Sequence, residues 1–206
     1  MAYLHYIPKW FQRLYPRRIW RGVSTKKNPK IYLSFDDGPI PEVTPWVLEQ
    51  LKAYQAKATF FCIGDNVRKH PKEFDALRAG GHRIGNHTYN HLNGAKHDPS
   101  IYLENTLACE EYFQTNLFRP PYGRIKKAQV KALTQANYKI VMWDVLSGDW
   151  DSQKSPEDCL RAVKRYSKPG SIIVFHDSLK AWPRLKIVLP QVLKYFQEKG
   201  YQFEVI

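Results

Sequence analysis

The sequence predicts an α/β fold in which parallel strands alternate with helices, either closed as a barrel or left open and doubly wound. Three observations carry this expectation. Short β-rich runs alternate with helix-period segments about seven times across residues 31–206. No repeat, low-complexity stretch or internal linker interrupts the alternation. A chain of 206 residues with 43% hydrophobic and 14% aromatic side chains can bury one sizeable core, so one domain over residues 31–206 is expected behind a basic, aromatic N-terminal segment, residues 1–30.

Taken in order, "KIYLSFDD" reads as a strand. "PEVTPWVLEQLKAYQ" follows as a helix, with Val43, Val47, Leu48 and Leu51 at helical spacing and prolines near its start, where they are tolerated. "KATFFCIG" is a strand. "DNVRKHPKEFDALRAGG" is helical, broken near Pro71 and ended by Gly80 and Gly81, and "HRIGNHT" is a short strand. A helix over 99–116, a short strand at "LFRPP", a helix over 125–136 and the strand "YKIVMWDV" come next. A helix from Ser155, the strand "GSIIVFHDS", a helix over 183–199 and a last strand "YQFEVI" complete the pattern.

Composition narrows the class. Cys62, Cys109 and Cys159 are odd in number, widely spaced and form no CxxC pair, which argues against a disulfide framework or a cysteine zinc site. The start lacks the continuous apolar stretch of a secretory signal, which leads to the expectation of a cytoplasmic protein. Residues 1–30 carry eight basic residues and no acidic one, more than half of the net charge of +13. Nucleic acid is not expected as a partner, because no nucleic-acid motif accompanies the charge. Two readings of the segment remain: an arm that packs its rings on the domain while its charges stay solvated, or peripheral association with an anionic membrane through Trp10, Phe11, Tyr15, Trp20 and the basic residues around them.

The chemistry-bearing residues collect at strand ends. The first strand ends in Asp36 and Asp37, and later ones in "GNHTYNH", "FRPPYGR", "WDVLSGDWD" and "VFHDS". In a parallel barrel all of these lie on one rim, where the βα loops begin. Two adjacent carboxylates repel, so the pair needs a cation nearby or two different jobs. His87 and His91, four apart, would project to one side if they shared a helical turn. Two imidazoles and one carboxylate leave a coordination position open, as a catalytic metal site requires, and nitrogen with oxygen ligands suits zinc best, with cobalt, nickel or manganese as alternatives. One aspartate can then be a ligand and the other a base. His176 is the natural general acid, Arg119 could hold the base ionised, and Asp149 or Asp177 could orient His176.

Five motifs in order, "SFDDGP", "HTYNH", "RPPYG", "DW" and "VFHD", give residues 31–177 a resemblance to the polysaccharide deacetylases of carbohydrate esterase family four, metal-dependent enzymes that remove N-acetyl groups from amino sugars. The resemblance implies a distorted (β/α) barrel with about seven parallel strands. It implies Asp36 as general base, Asp37, His87 and His91 as metal ligands, Arg119 as partner of Asp36, and the Tyr122 backbone N–H as oxyanion donor. It further implies His176 as general acid with Asp149 behind it. Trp150, Pro120, Tyr122 and Val174 would line the substrate site.

The substrate expected is therefore an N-acylated amino sugar in a polysaccharide, oligosaccharide or glycoconjugate, handled by a monomer. Relatives usually carry leucine where this chain has Val174, which leaves acetyl and formyl both open as the acyl group. The alternatives are a deacylase or deformylase of a lipid-linked sugar at the cytoplasmic membrane face, and a non-catalytic carbohydrate-binding relative. For the remaining residues the expectations are structural: Asp177 and Asp65 as helix caps, His82 and His97 as satisfied or solvated histidines, and Asp144 as a side chain pointing into the barrel.

Overall fold

Strand Lys30–Asp36 sits at the centre of the sheet, and its sequence shows why. Ile31, Leu33 and Phe35 alternate with Tyr32, Ser34 and Asp36, so one set faces outward under helices and the other faces inward. Every residue from Ile31 to Asp36 is buried, as a strand covered on both faces demands. The computed structural model describes residues 4–206. Its elements are α1 (Lys9–Arg13), β1 (Arg18–Ile19), β2 (Lys30–Asp36), α2 (Thr44–Ala53), β3 (Ala58–Cys62), α3 (Gly64–Lys69), α4 (Pro71–Ala79), β4 (Arg83–Asn86), α5 (Pro99–Leu107), β5 (Leu117–Phe118), α6 (Lys127–Gln135), β6 (Lys139–Val141), β7 (Val145–Leu146), α7 (Pro156–Tyr166), β8 (Ile172–His176), α8 (Trp182–Glu198) and β9 (Gln202–Phe203).

The strand order is β1-β6-β5-β4-β3-β2-β8-β7, with β9 against the start of β2, and all of these pairings are parallel. Val141 of β6 and Ile172 of β8 lie far apart in that order, yet they share one apolar cluster with Tyr32, Phe61 and Leu117. The sheet is therefore curled into a half-barrel, with this cluster inside. The outer core holds Phe35, stacked between Phe60 at 4.9 Å and Phe175 at 5.9 Å, under α2 and α8. A second outer cluster, with Phe118, Leu133 and Ile140, lies under α5 and α6. The start of α7 is fixed by a capping box: the Asp158 N–H donates to Ser155 Oγ, and the Ser155 N–H donates to Asp158 Oδ2.

Two departures from the sequence reading shape the barrel. The run "YKIVMWDV" is two strands, because β6 pairs with β5 at one edge while β7 pairs with β8 at the other, and residues 142–144 cross the gap between the edges. The N-terminal segment fills that gap. Its β1 pairs with β6, and the Met142 N–H donates to Ile19 O at 2.7 Å. Arg21 then bridges to Ser171, and the Gly22 N–H donates to Gly170 O at 2.9 Å, on the β8 side. Residues 5–7 run antiparallel to residues 144–146, through Ile7 N–H to Asp144 O and Leu146 N–H to His5 O. Phe11, Tyr15 and Trp20 pack against one another and onto the α5–α6 cluster.

Asp144 pins this seam. Its carboxylate accepts from Arg21, Ser171 Oγ and the Ile172 N–H, all structural partners. Burial pushes its carboxyl up to about 6, against the pull of Arg21 and those hydrogen bonds.

Candidate active site

The rim is built by the carboxyl ends of β2, β4 and β8 and by the loops after β5 and β7. At the end of β2, Asp36 is buried and points into the half-barrel, while Asp37 turns away on a left-handed backbone, φ 85°. An aspartate tolerates that conformation only with support. Support comes from Asn66, whose Nδ2 donates to Asp37 O at 2.7 Å, and from the Gly38 N–H, which donates to Asp177 Oδ1 at 3.1 Å. Thr44 Oγ1 donates to the other Asp177 oxygen at 2.6 Å and accepts from the Ile40 N–H at 2.9 Å. Asp177 thus clamps the turn after β2 and does not cap the helix that follows it. Burial pushes its carboxyl up to about 8, offset in part by the Thr44 hydrogen bond.

His87 and His91 do not lie on a helical turn. They leave β4 in an irregular loop in which Thr88 and His91 both take left-handed backbones, φ 65° and 59°. Asn86 holds the loop by accepting from the Thr88 N–H at 2.8 Å, and Thr88 Oγ1 accepts from the Leu92 N–H at 2.9 Å. The result still aims both rings at Asp37: its Oδ1 lies 3.3 Å from His91 Nε2 and 3.8 Å from His87 Nε2. His87 Nδ1 donates to Arg119 O at 2.8 Å, because a carbonyl can only accept, and this leaves the Nε2 lone pair facing the aspartate. Burial pulls the His87 imidazole down to about 4, so the ring is neutral at ordinary pH. Asp37 Oδ1 is buried and has no hydrogen-bond donor.

Three ligand atoms within 4.8 Å of one another, two of them imidazole nitrogens and one an orphaned carboxylate oxygen, fit a divalent cation. Among the described residues nothing else satisfies Asp37 Oδ1.

Arg119, fully buried after β5, occupies the inside of the half-barrel. One nitrogen donates to Asp36 Oδ1 at 2.7 Å and to Ser34 Oγ at 2.8 Å, the other to Met142 O at 3.1 Å, and the guanidinium lies 4.0 Å over the Phe61 ring. Burial opposes ionisation of Asp36, yet Arg119, with His87 and His176, overrides it and holds the carboxyl below its usual range. Asp36 is thus held as a carboxylate at neutral pH beside the Asp37–His87–His91 group.

Across the site, His176 ends β8, level with Asp36 in the sheet register. Asp149 holds it twice: Oδ2 accepts the His176 backbone N–H at 2.8 Å, and Oδ1 lies 2.9 Å from Nδ1. Burial works against the imidazolium, but Asp149, with Asp37 and Asp36, outweighs it and raises His176 to about 9. Trp150 covers the ring at a centroid distance of 4.8 Å. Arg184 of α8 donates to Asp149 O and to Lys180 O, fixing the loops on both sides of His176.

Tyr122 lies in the turn after β5 on a left-handed backbone, φ 59°, with its ring 62% exposed and 4.5 Å from His91. The turn's own hydrogen bonds run from Gly123 N–H to Pro120 O and from Arg124 N–H to Pro121 O, leaving the Tyr122 N–H outside them. Pro120 is buried, and Val174 is buried on the inward face of β8, two residues below His176.

The structure thus brings Asp36, Asp37, His87, His91, Arg119, Tyr122, Asp149, Trp150 and His176 onto one rim. Asp65 is not a cap: Ile63 precedes α3, and Asp65 pairs with Arg68 and Lys69 inside it. His82 accepts from the Ala58 N–H, and burial pulls it to about 4. Sequence reasoning missed Ser34, Asn66, Asn86, Thr44 and Arg184. Ser34 alone had a signal, a hydroxyl in the middle of an otherwise apolar strand.

Comparison with known proteins bears on this geometry. The family model for polysaccharide deacetylase matches residues 23–141. A peptidoglycan-N-acetylglucosamine deacetylase of Bacillus cereus is 35% identical over 181 residues, covering 84% of this chain and 66% of that protein. A chitooligosaccharide deacetylase of Azorhizobium caulinodans is 33% identical over 160 residues, covering 74% and 76%. Among solved structures, a peptidoglycan N-acetylglucosamine deacetylase in complex with 4-naphthalen-1-yl-N-oxidanyl-benzamide superposes with a TM-score of 0.82 at 32% identity, covering 98% of this chain and 95% of that one.

Proposed function

The chain belongs to the polysaccharide deacetylase family, carbohydrate esterase family 4, and on that premise we propose that it hydrolyses the N-acetyl group of an amino sugar in a glycan. The observation that carries the proposal is the pairing across one small site of a carboxylate held ionised, Asp36, with an imidazole held protonated, His176. Two titratable groups pushed in opposite directions define a base and an acid available at the same pH.

Asp37, His87 and His91 would hold a divalent cation, zinc by the donor set, with cobalt, nickel or manganese as alternatives. When bound, such an ion supplies Lewis acidity, polarising a carbonyl oxygen and making water easier to deprotonate. Asp36 takes the proton as water adds to the amide carbon, and Arg119 keeps it ionised until then. The carbonyl oxygen gains negative charge, and the Tyr122 N–H, free of the turn's own hydrogen bonds, donates to it. The C–N bond then breaks as His176 delivers its proton to the departing nitrogen, leaving a carboxylic acid and a free amino sugar. Asp149 stabilises the imidazolium and fixes the ring so that Nε2 faces the site. Trp150 and Tyr122 would flank the bound sugar, with the buried Val174 and Pro120 beneath them.

Retention of every ionisable group in this scheme argues against a purely sugar-binding relative. A lipid-linked aminosugar, acylated with acetyl or formyl, is a narrower substrate reading, favoured by the basic face described below. Acetate and formate release from chitooligosaccharides, peptidoglycan fragments and lipid-linked sugars tests the reading. Asp36→Asn should abolish release and keep the metal found by elemental analysis, whereas Asp37→Asn and His87→Ala should lose both. No release from any of these substrates by the metal-loaded protein would overturn the proposal.

A further inference from the structure

Beside the rim lies a face that the reaction does not use. Helix α1 and the turn that follows it pack near α6, and between them runs a groove of about 250 Å³. Leu14 and Val130 line it with apolar surface beside Arg17, Arg18, Lys127 and Lys131. Lys127 and Lys131 are one helical turn apart on α6, so both face the groove. Among the described residues none of these four cations has a carboxylate partner. Leu14, just past the end of α1, is 63% exposed, and Trp10, one turn earlier, is 65% exposed. Phe11, Tyr15 and Trp20 from the same segment are turned inward, so the outward pair is not a failure of packing.

We propose that this face docks the protein on an anionic lipid bilayer. The charge complementarity requires an anion, and the exposed indole and leucine require an apolar medium. A bilayer of acidic lipids supplies both at the depth of its headgroups. A soluble polyanion would answer only the cations. A second copy of a chain of net charge +13 would bring like charge against like. Helix α6 begins just after the Pro120–Gly123 turn, so the Lys127 end of this face is close in the chain to the catalytic rim. The inference concerns binding alone and stands whether or not the proposed reaction is correct.

Sedimentation of the full chain with large vesicles tests it, using zwitterionic lipid alone and an equal mixture with phosphatidylglycerol. Binding is expected to the mixed vesicles only. Lys127→Gln with Lys131→Gln should weaken it by about tenfold or more at roughly 0.1 M salt. Trp10→Ser with Leu14→Ser should weaken it comparably. Both double variants should keep the wild-type unfolding temperature within a few degrees and unchanged release from a soluble chitooligosaccharide. If the apolar variant does not hold that temperature, Leu14→Ser alone, at a side chain already exposed, takes its place. Equal sedimentation with both kinds of vesicle, or with neither, would overturn the proposal. So would a charge variant that weakens binding while the apolar variants do not, which would assign the face to a soluble polyanion. A concentration-dependent dimer abolished by Leu14→Ser would also overturn it.

Discussion

Replacing Asp149 by asparagine removes one charge from behind His176 while leaving an oxygen able to accept the His176 backbone N–H. In the wild type the carboxylate 2.9 Å from Nδ1 overcomes the burial of the ring and holds the imidazole near 9. Without it burial is opposed only by Asp37 and Asp36, and the imidazole falls toward its ordinary value of about 6.5. As general acid His176 must be protonated, so activity should be limited on the alkaline side near 9 in the wild type and at about 6.5 in the variant. At about pH 6 the protonated fractions differ by less than about twofold, whereas at about pH 8.5 they differ by roughly 75-fold. Any loss from poorer orientation is the same at both values. The deficit of the variant in kcat/KM should therefore widen by about fiftyfold between them, measured as acetate release in matched buffers. The same linkage acts on stability. A raised imidazole contributes stability that is complete below its unfolded value of about 6.5 and lost as pH rises through 9, about 3 kcal/mol in all. Denaturant titrations of wild type and variant at both ends of the range should show that difference. A deficit that stays constant with pH would refute the assignment of His176 as the titrating acid held up by Asp149.

Two further substitutions probe the buried ion pairs. Arg119→Met leaves Asp36 buried without its partner and should cost about 3–5 kcal/mol of unfolding free energy in denaturant titration. Because Arg119 is what holds Asp36 below its usual range, the acid limb of the activity profile should also move upward in the surviving protein. Arg21→Ala unpairs Asp144 at the barrel seam. Since Asp144 is neutral below about 6 even in the wild type, the loss of thermal stability should be larger above pH 7 than at pH 5, and an equal loss at both would show that the pair is not what closes the seam.

The catalytic rim was legible because its residues lie at or shortly after the carboxyl ends of strands, and parallel strands bring distant ends together whatever lies between them. Asp36, His176 and Arg119 needed only the alternation of strand and helix to meet. What the sequence concealed was local. The HxxxH spacing suggests a helical turn, but a loop carrying two left-handed residues, Thr88 and His91, turns the same two rings to one point. Hydrophobicity is continuous through "YKIVMWDV", so nothing marks Met142–Asp144 as the place where the chain leaves one sheet edge for the other. Strand β1 is two residues long, too short for any period to register. Asp177, Asn66 and Arg184 act on backbone atoms of other segments, and such partners leave no trace in spacing.

The seam also bears on the order in which this molecule is made. Residues 5–22 leave the ribosome well before their hydrogen-bonding partners, which lie at residues 142–146 and 170–171. The opening stretch must therefore wait, with Trp20 and Phe11 uncovered, until most of the chain has been synthesised. Pairings of such long sequence separation form late and slowly, because loop closure is unfavourable before any contact repays it. The seam consequently closes last, and the half-made protein is the form in which residues 5–22 are exposed to chaperones, proteases and other chains.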